Sequence, residues 1–170
     1  LGHEIFHSVI ESKLKSESEA FSQEYDCYID HYKSSCAVWG NCTSGEQTFD
    51  DDAPDVEGFR AAFHLLKAAF PNEELKKLEY ASLRITREQA FFYSVGMQFC
   101  SGEEEYFDEH SLNSVRLNAV LSLMPEFTEA FGCQPGDQQY SKPESVCYLF
   151  GPQAGVDRSD TKDETVSHPF

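Results

Sequence analysis

The sequence predicts a mainly α-helical domain, and three observations carry that reading. Apolar residues recur at helical spacing in several segments, two capping-box patterns stand ahead of such segments, and prolines fall where helices start or stop. With 170 residues and 40% hydrophobic content, the chain is long enough for one domain with a real core. Its 14 Phe and 8 Tyr supply large rings to fill that core.

In chain order, residues 1–10 carry Ile5, Phe6, Val9 and Ile10 around two histidines and read as a buried helix. Ser16-x-x-Glu19 is a capping box, and Phe21, Tyr25, Tyr28, Ile29 and Tyr32 follow on one helical face. Residues 35–50 read as a loop. Residues 54–70 form the clearest helix: Pro54 suits its first turn, Val56, Phe59, Ala62, Phe63, Leu66 and Phe70 line one face, and Pro71 stops it. A short helix is expected around Leu75–Tyr80. Thr86-x-x-Gln89 opens another that runs to about Cys100. Asn113 or Ser114 caps a helix through Leu123, and Pro125 starts a last one to Phe131. From Gly151 the chain turns polar, so residues 1–150 are expected to form the domain and 151–170 a disordered tail.

The net charge of −17 argues against nucleic-acid partners, because phosphates repel carboxylates. No apolar run reaches the length of a membrane span. The chain begins at Leu1, inside a helix already under way, and is expected to be part of a longer protein. Its six cysteines lack zinc-finger spacing, which points to a disulfide framework in an oxidising compartment. Asn41-Cys42-Thr43 is a glycosylation sequon and agrees with an extracellular setting.

His3-Glu4-Ile5-Phe6-His7 is an H-E-x-x-H pattern. On a helix, positions i and i+4 lie one turn apart on the same face, so both imidazoles can reach one Zn²⁺. The glutamate beside the first ligand can take a proton from water attacking a peptide carbonyl. A third protein ligand is required. The run Asp50-Asp51-Asp52-Ala53-Pro54-Asp55 offers carboxylates, although taken by itself it is better accounted for as an acidic helix start favoured by the helix dipole.

Over nearly residues 1–149 the chain resembles the neprilysin family of metallopeptidases. Thr48-Phe49-Asp50-Asp51-Asp52-Ala53-Pro54-Asp55 is similar to that family's G-E-N-x-x-D segment, and Gly58 follows where the family has the second Gly of G-G-L. Thr86-Arg87-Glu88-Gln89-Ala90-Phe91-Phe92 resembles T-x-E-Q-L-F-F, and Gln98-Phe99-Cys100 resembles Q-x-W-C. Asp108-Glu109-His110-Ser111 through Arg116-Leu117-Asn118 resembles D-x-H-S-P…R-x-N. Glu126-Phe127-Thr128-Glu129-Ala130-Phe131-Gly132-Cys133 resembles E-F-x-x-A-F-x-C.

The resemblance implies a thermolysin-like zincin fold, specifically its multi-helical C-terminal catalytic subdomain, with one zinc ion. His3, His7 and Asp51 would be the ligands, Glu4 the base and Asp55 a partner that orients a ligand histidine. His110 would donate to an oxyanion, and Arg116 would hold a substrate carbonyl or help fix the site. Peptides would be the substrates, and a further N-terminal domain of the same parent chain a partner. The setting would be extracellular, including the ectodomain of a single-pass membrane protein. Cys27 and Cys147 would pair with each other. Cys100 and Cys133 would lack partners here, since the family pairs these positions with cysteines of the N-terminal region. Cys36 and Cys42 read as a local bridge.

The chain departs from the family pattern at several points, among them Ser8-Val9-Ile10 and a short stretch where the family has Gly-Phe-Asp and a longer one. Asp51 is one methylene shorter than the family's Glu, and Glu57 replaces the first Gly of the pair, where its side chain is expected to crowd the metal. The family's substrate-pairing edge strand is absent. These departures make a catalytically impaired binding or scaffold protein the alternative to a peptidase.

Overall fold

The computed structural model describes residues 2–71, 77–80, 83–100 and 109–151. Among them are α1 (Gly2–His7), α2 (Glu19–Trp39), α3 (Gly45–Ala69), α4 (Arg87–Gln98), α5 (Asn113–Ser122) and α6 (Pro125–Phe131). The mainly helical class is as the sequence predicts. The expected disordered tail lies outside the described residues, apart from Gly151.

The core forms where α2 and α3 cross and α5 closes over them. Tyr25, Tyr28, Ile29 and Tyr32 of α2 meet Phe49, Ala53 and Val56 of α3, with Val115, Ala119 and Val120 of α5. Burying each such large side chain contributes roughly 1.5–3 kcal/mol. A second aromatic group joins α3 to α4 and α6. Phe92 lies 5.5 Å from Phe63 and 5.2 Å from Phe127, and Phe127 lies 4.7 Å from Phe131, between ring centres.

Several boundaries differ from expectation, for identifiable reasons. Ser18, not Ser16, caps α2, accepting from the Phe21 amide, because Ser12–Ser16 is a 3-10 turn of its own. The loop expected over 35–50 shrinks to 40–44. Ser44 and Gln47 form a capping box, and α3 therefore starts at Gly45. Pro54 lies inside α3 rather than at its start, so the Asp50 carbonyl loses its helical donor. Leu112 occupies the N-cap of α5, one residue before the expected caps. Where a short helix was expected, Lys77–Tyr80 pairs antiparallel with Leu83–Thr86. The Thr86 capping box forms with both of its hydrogen bonds. Among the described residues, no helix is long and apolar enough to cross a membrane.

Helix α1 and the turn after it are less buried than their apolar content suggests, with Ile5 at 56% and Val9 at 47% exposure. Only one side of the helix meets the core, through Phe6, and that side lies against α3. The approach is backbone to backbone. A Cβ placed on Gly58 would lie 2.8 Å from the His3 amide nitrogen and 2.9 Å from the Gly2 carbonyl carbon. Two glycines thus set the depth at which α1 docks, and with it the position of both histidines.

Candidate metal centre

His3 and His7 project from α1 one turn apart, and their Nε2 atoms are 2.8 Å from each other. Asp51 and Asp55 stand one turn apart on the facing side of α3. Asp51 Oδ1 lies 3.2 Å from His7 Nε2 and 3.6 Å from His3 Nε2. Asp55 Oδ1 lies 2.7 Å from His3 Nδ1, behind the imidazole, while Arg116 of α5 grips the same carboxylate at 2.7 and 3.0 Å. His110, from the segment before α5, brings its Nε2 to 3.0 Å from Asp51 Oδ1.

These distances fit zinc. Zinc–donor bonds of about 2.0–2.1 Å in a tetrahedron place donor atoms about 3.3 Å apart. The observed separations of 2.8, 3.2 and 3.6 Å among His3, His7 and Asp51 bracket that value. The donor set is two imidazoles and a carboxylate, which suits zinc chemically. Despite its shorter side chain, Asp51 reaches the histidines.

The electrostatics favour a cation at the same place. Hydrogen bonding to Asp51, then to Asp55, raises His3 to about 9, against the desolvation that would lower it. Burial alone would push Asp51 up, but the hydrogen bond from His3 and the charges of His110 and His7 hold its carboxyl below the ordinary range.

The neighbouring acids are spent elsewhere. Asp50 accepts from the Ser12 amide at 2.7 Å and its hydroxyl at 3.1 Å. Asp52 points into the core, where Ser111 donates to it at 2.8 Å and burial pushes it up to about 7. Glu57 does not crowd the site. It turns to the opposite side of α3, where its Oε1 accepts from the Tyr28 hydroxyl, Arg60 and the Leu149 amide at 2.7, 2.9 and 3.0 Å.

Beside His3, a cleft of about 500 Å³ runs between α1, α3, α4 and α5. Glu4 and Arg116 line it, together with Phe59, Phe91 and Phe99. Phe59 and Phe91 are apolar helix residues whose spacing marks a helix face but not which cavity it borders. Phe99 stood in the Q-F-C match without a role, and here its ring lies under the Arg116 guanidinium, 5.4 Å away.

The cysteines sit as the sequence reading had them. Cys27 and Cys147 are joined, with Cα atoms 5.8 Å apart, and Cys36 is joined to Cys42. Cys100 is an exposed free thiol and Cys133 a half-buried one. Asn41 is exposed in the loop between α2 and α3.

Residues 1–147 match the model of peptidase family M13. Neprilysin-3 of Drosophila melanogaster is 28% identical over 139 residues, covering 78% of this chain and 17% of that protein. Endothelin-converting enzyme 1 of Mus musculus is 30% identical over 131 residues, covering 71% of this chain and 16% of the relative. Neprilysin-1 of Caenorhabditis elegans is 26% identical over 165 residues, covering 80% and 21%. The chain therefore spans about a fifth or less of the length of these curated relatives. It belongs to peptidase family M13, the neprilysin family of metallopeptidases.

Proposed function

We propose that this chain is the zinc-holding part of a metalloendopeptidase that hydrolyses peptides outside the cell. The observation that carries the reading is the convergence of His3, His7 and Asp51, whose donor atoms all lie within 4.8 Å of one another. Bound there, zinc would supply Lewis acidity, lowering the pKa of a water toward neutral and polarising a carbonyl.

The chain's own residues then divide the work. His3, His7 and Asp51 would hold the ion. Asp55 fixes the His3 ring through Nδ1, which would leave Nε2 to the ion, and Arg116 fixes Asp55 in turn. Glu4, beside His3 and lining the cleft, takes the proton from the attacking water. The walls of Phe59, Phe91 and Phe99 suit an apolar side chain of the peptide, and Arg116 at the same cleft suits a backbone carbonyl. The disulfides and the exposed Asn41 support an extracellular setting.

The test is zinc content by mass spectrometry on the purified chain beside an Asp51→Ala variant. One zinc per chain, lost in the variant, is expected. A parent chain with no zinc above background overturns the reading. Glu4→Gln should keep its zinc while slowing cleavage of a fluorogenic peptide roughly 10²–10⁴-fold.

A further inference from the structure

The resemblance implies that His110 donates to an oxyanion, but here its Nε2 faces the carboxylate of Asp51 instead. A metal-bound carboxylate uses one oxygen on the ion, and its other lone pairs need a donor if the group is to stay put. His110 Nε2 lies 3.0 Å from Asp51 Oδ1, within hydrogen-bond reach. The contact is built from below. Ser111, only 3% exposed, donates to Asp52 at 2.8 Å. Successive residues of the segment before α5 therefore dock on successive aspartates of α3, His110 on Asp51 and Ser111 on Asp52. The second contact fixes the backbone from which the first is made.

His110 does not complete a closed four-ligand site. The cluster with mutually close donor atoms comprises His3, His7 and Asp51 and does not extend to His110. The shorter third ligand gives this contact its purpose. Asp51 is one methylene shorter than a Glu and has less reach to spare, so the setting of its carboxylate matters more to where its oxygen meets the histidines.

We infer that His110 is a positioning residue for the metal, holding Asp51 through an Nε2–H hydrogen bond so that this short carboxylate can serve as the third ligand. The inference rests on the zinc reading above. It concerns assembly of the site, and the residue acts through Asp51.

The experiment measures zinc affinity by competition with a chelating dye, on the 170-residue chain and on His110→Ala and His110→Gln. Far-UV circular dichroism checks each fold. His110→Ala is expected to bind zinc about 10–100-fold more weakly at unchanged helicity, and His110→Gln, which keeps an N–H donor near the Nε2 position, to recover to within about threefold of the parent. His110→Ala as tight as the parent, or His110→Gln as weak as His110→Ala, overturns the inference. A parent that holds no zinc sinks the peptidase reading instead. The contact is then read from the His110 ring-nitrogen signals by NMR. Protonation at Nε2, shifted by Asp51→Ala, upholds the contact, and signals unmoved by Asp51→Ala overturn it.

Discussion

Helix α3 carries two carboxylate sites a few residues apart, and they are built on opposite rules. At Glu57, one buried oxygen receives three donors, from Tyr28, Arg60 and the Leu149 amide. Arg60 in turn donates to the carbonyls of Cys147 and Leu123 at 2.6 and 2.7 Å and lies over the Tyr148 ring. Both charged groups are nearly sealed, at 4% and 6% exposure. At Asp51, by contrast, three imidazole nitrogens crowd a single oxygen beside an open cleft. The first arrangement leaves the carboxylate nothing further to bind, and its product is rigidity: it ties the end of the domain to α2 and α3. The second turns three ring nitrogens toward one carboxylate oxygen, at 3.6, 3.2 and 3.0 Å, and two of them share with it the donor spacing of a metal site. A carboxylate's role is thus set by whether its donors already satisfy it.

The strongest way to break this comparison is Arg60→Ala. It strands Glu57 as an uncompensated buried charge and frees two buried carbonyls. A loss of about 3–5 kcal/mol in unfolding free energy is expected from urea denaturation. Asp51→Ala should do the reverse, abolishing zinc binding while the metal-free unfolding midpoint moves little. If the two variants exchange phenotypes, the division of α3 into a structural and a binding side is wrong.

Much of the binding side was legible in the sequence, because helical periodicity alone puts His3 on one face with His7. The choice among the acidic residues was not legible from spacing. Asp50, Asp51 and Asp52 advance by about 100° each around a helix, and three neighbours that the sequence does not place receive them: Ser12, the histidines and Ser111. The resemblance to a family picked out Asp51, but it also suggested that Glu57 would crowd the metal. One and a half turns further along, Glu57 faces Tyr28, and only the packing of α2 reveals this. The start of α3 was misplaced because proline is a strong signal for a first turn. Here the Ser44 capping box and the contact of Phe49 with Tyr25 extend the helix through Pro54. The segment at Lys77–Tyr80 was misread because a run that short is not separated by periodicity into helix or strand.

Acid sharpens the comparison through histidines on the two sides. His3 is shifted up by carboxylates, whereas His31 is lowered to about 4, by burial first and by the nearby Arg60 charge as a smaller cause. His31 Nε2 lies 3.1 Å from the Ala119 carbonyl and 3.1 Å from the Ser122 hydroxyl. Between about pH 6.5 and pH 4 the unfolded chain binds a proton at this position that the folded chain refuses. Its contribution to stability is therefore complete above pH 6.5 and lost as pH falls toward 4, up to about 3 kcal/mol in all. Urea midpoints at pH 7 and pH 4.5 measure it. His31→Phe should flatten that part of the pH dependence, and an unchanged slope would show that His31 is not held neutral by its surroundings.

The finest test is one carbon atom between the two helices. Gly58→Ala would set a methyl 2.8 Å from the His3 amide nitrogen, closer than real contacts allow. The obstacle is backbone, which cannot rotate away as a side chain would, so α1 must lift from α3. A cost of about 1–3 kcal/mol is expected for such overpacking. Stability is the lesser part of the effect, because α1 carries two of the three donors and α3 the third. Any lift widens the separations of 3.2 and 3.6 Å between Asp51 and the imidazoles, while the Glu57–Arg60 network lies on the other side of α3 and keeps its donors. The variant should therefore lose zinc affinity by more than its loss of stability would account for. Gly2→Ala, which meets the Gly58 carbonyl oxygen at 3.0 Å, should follow in a milder form. Equal zinc affinity in both variants and the parent would mean that the depth of α1 is not what sets the metal site.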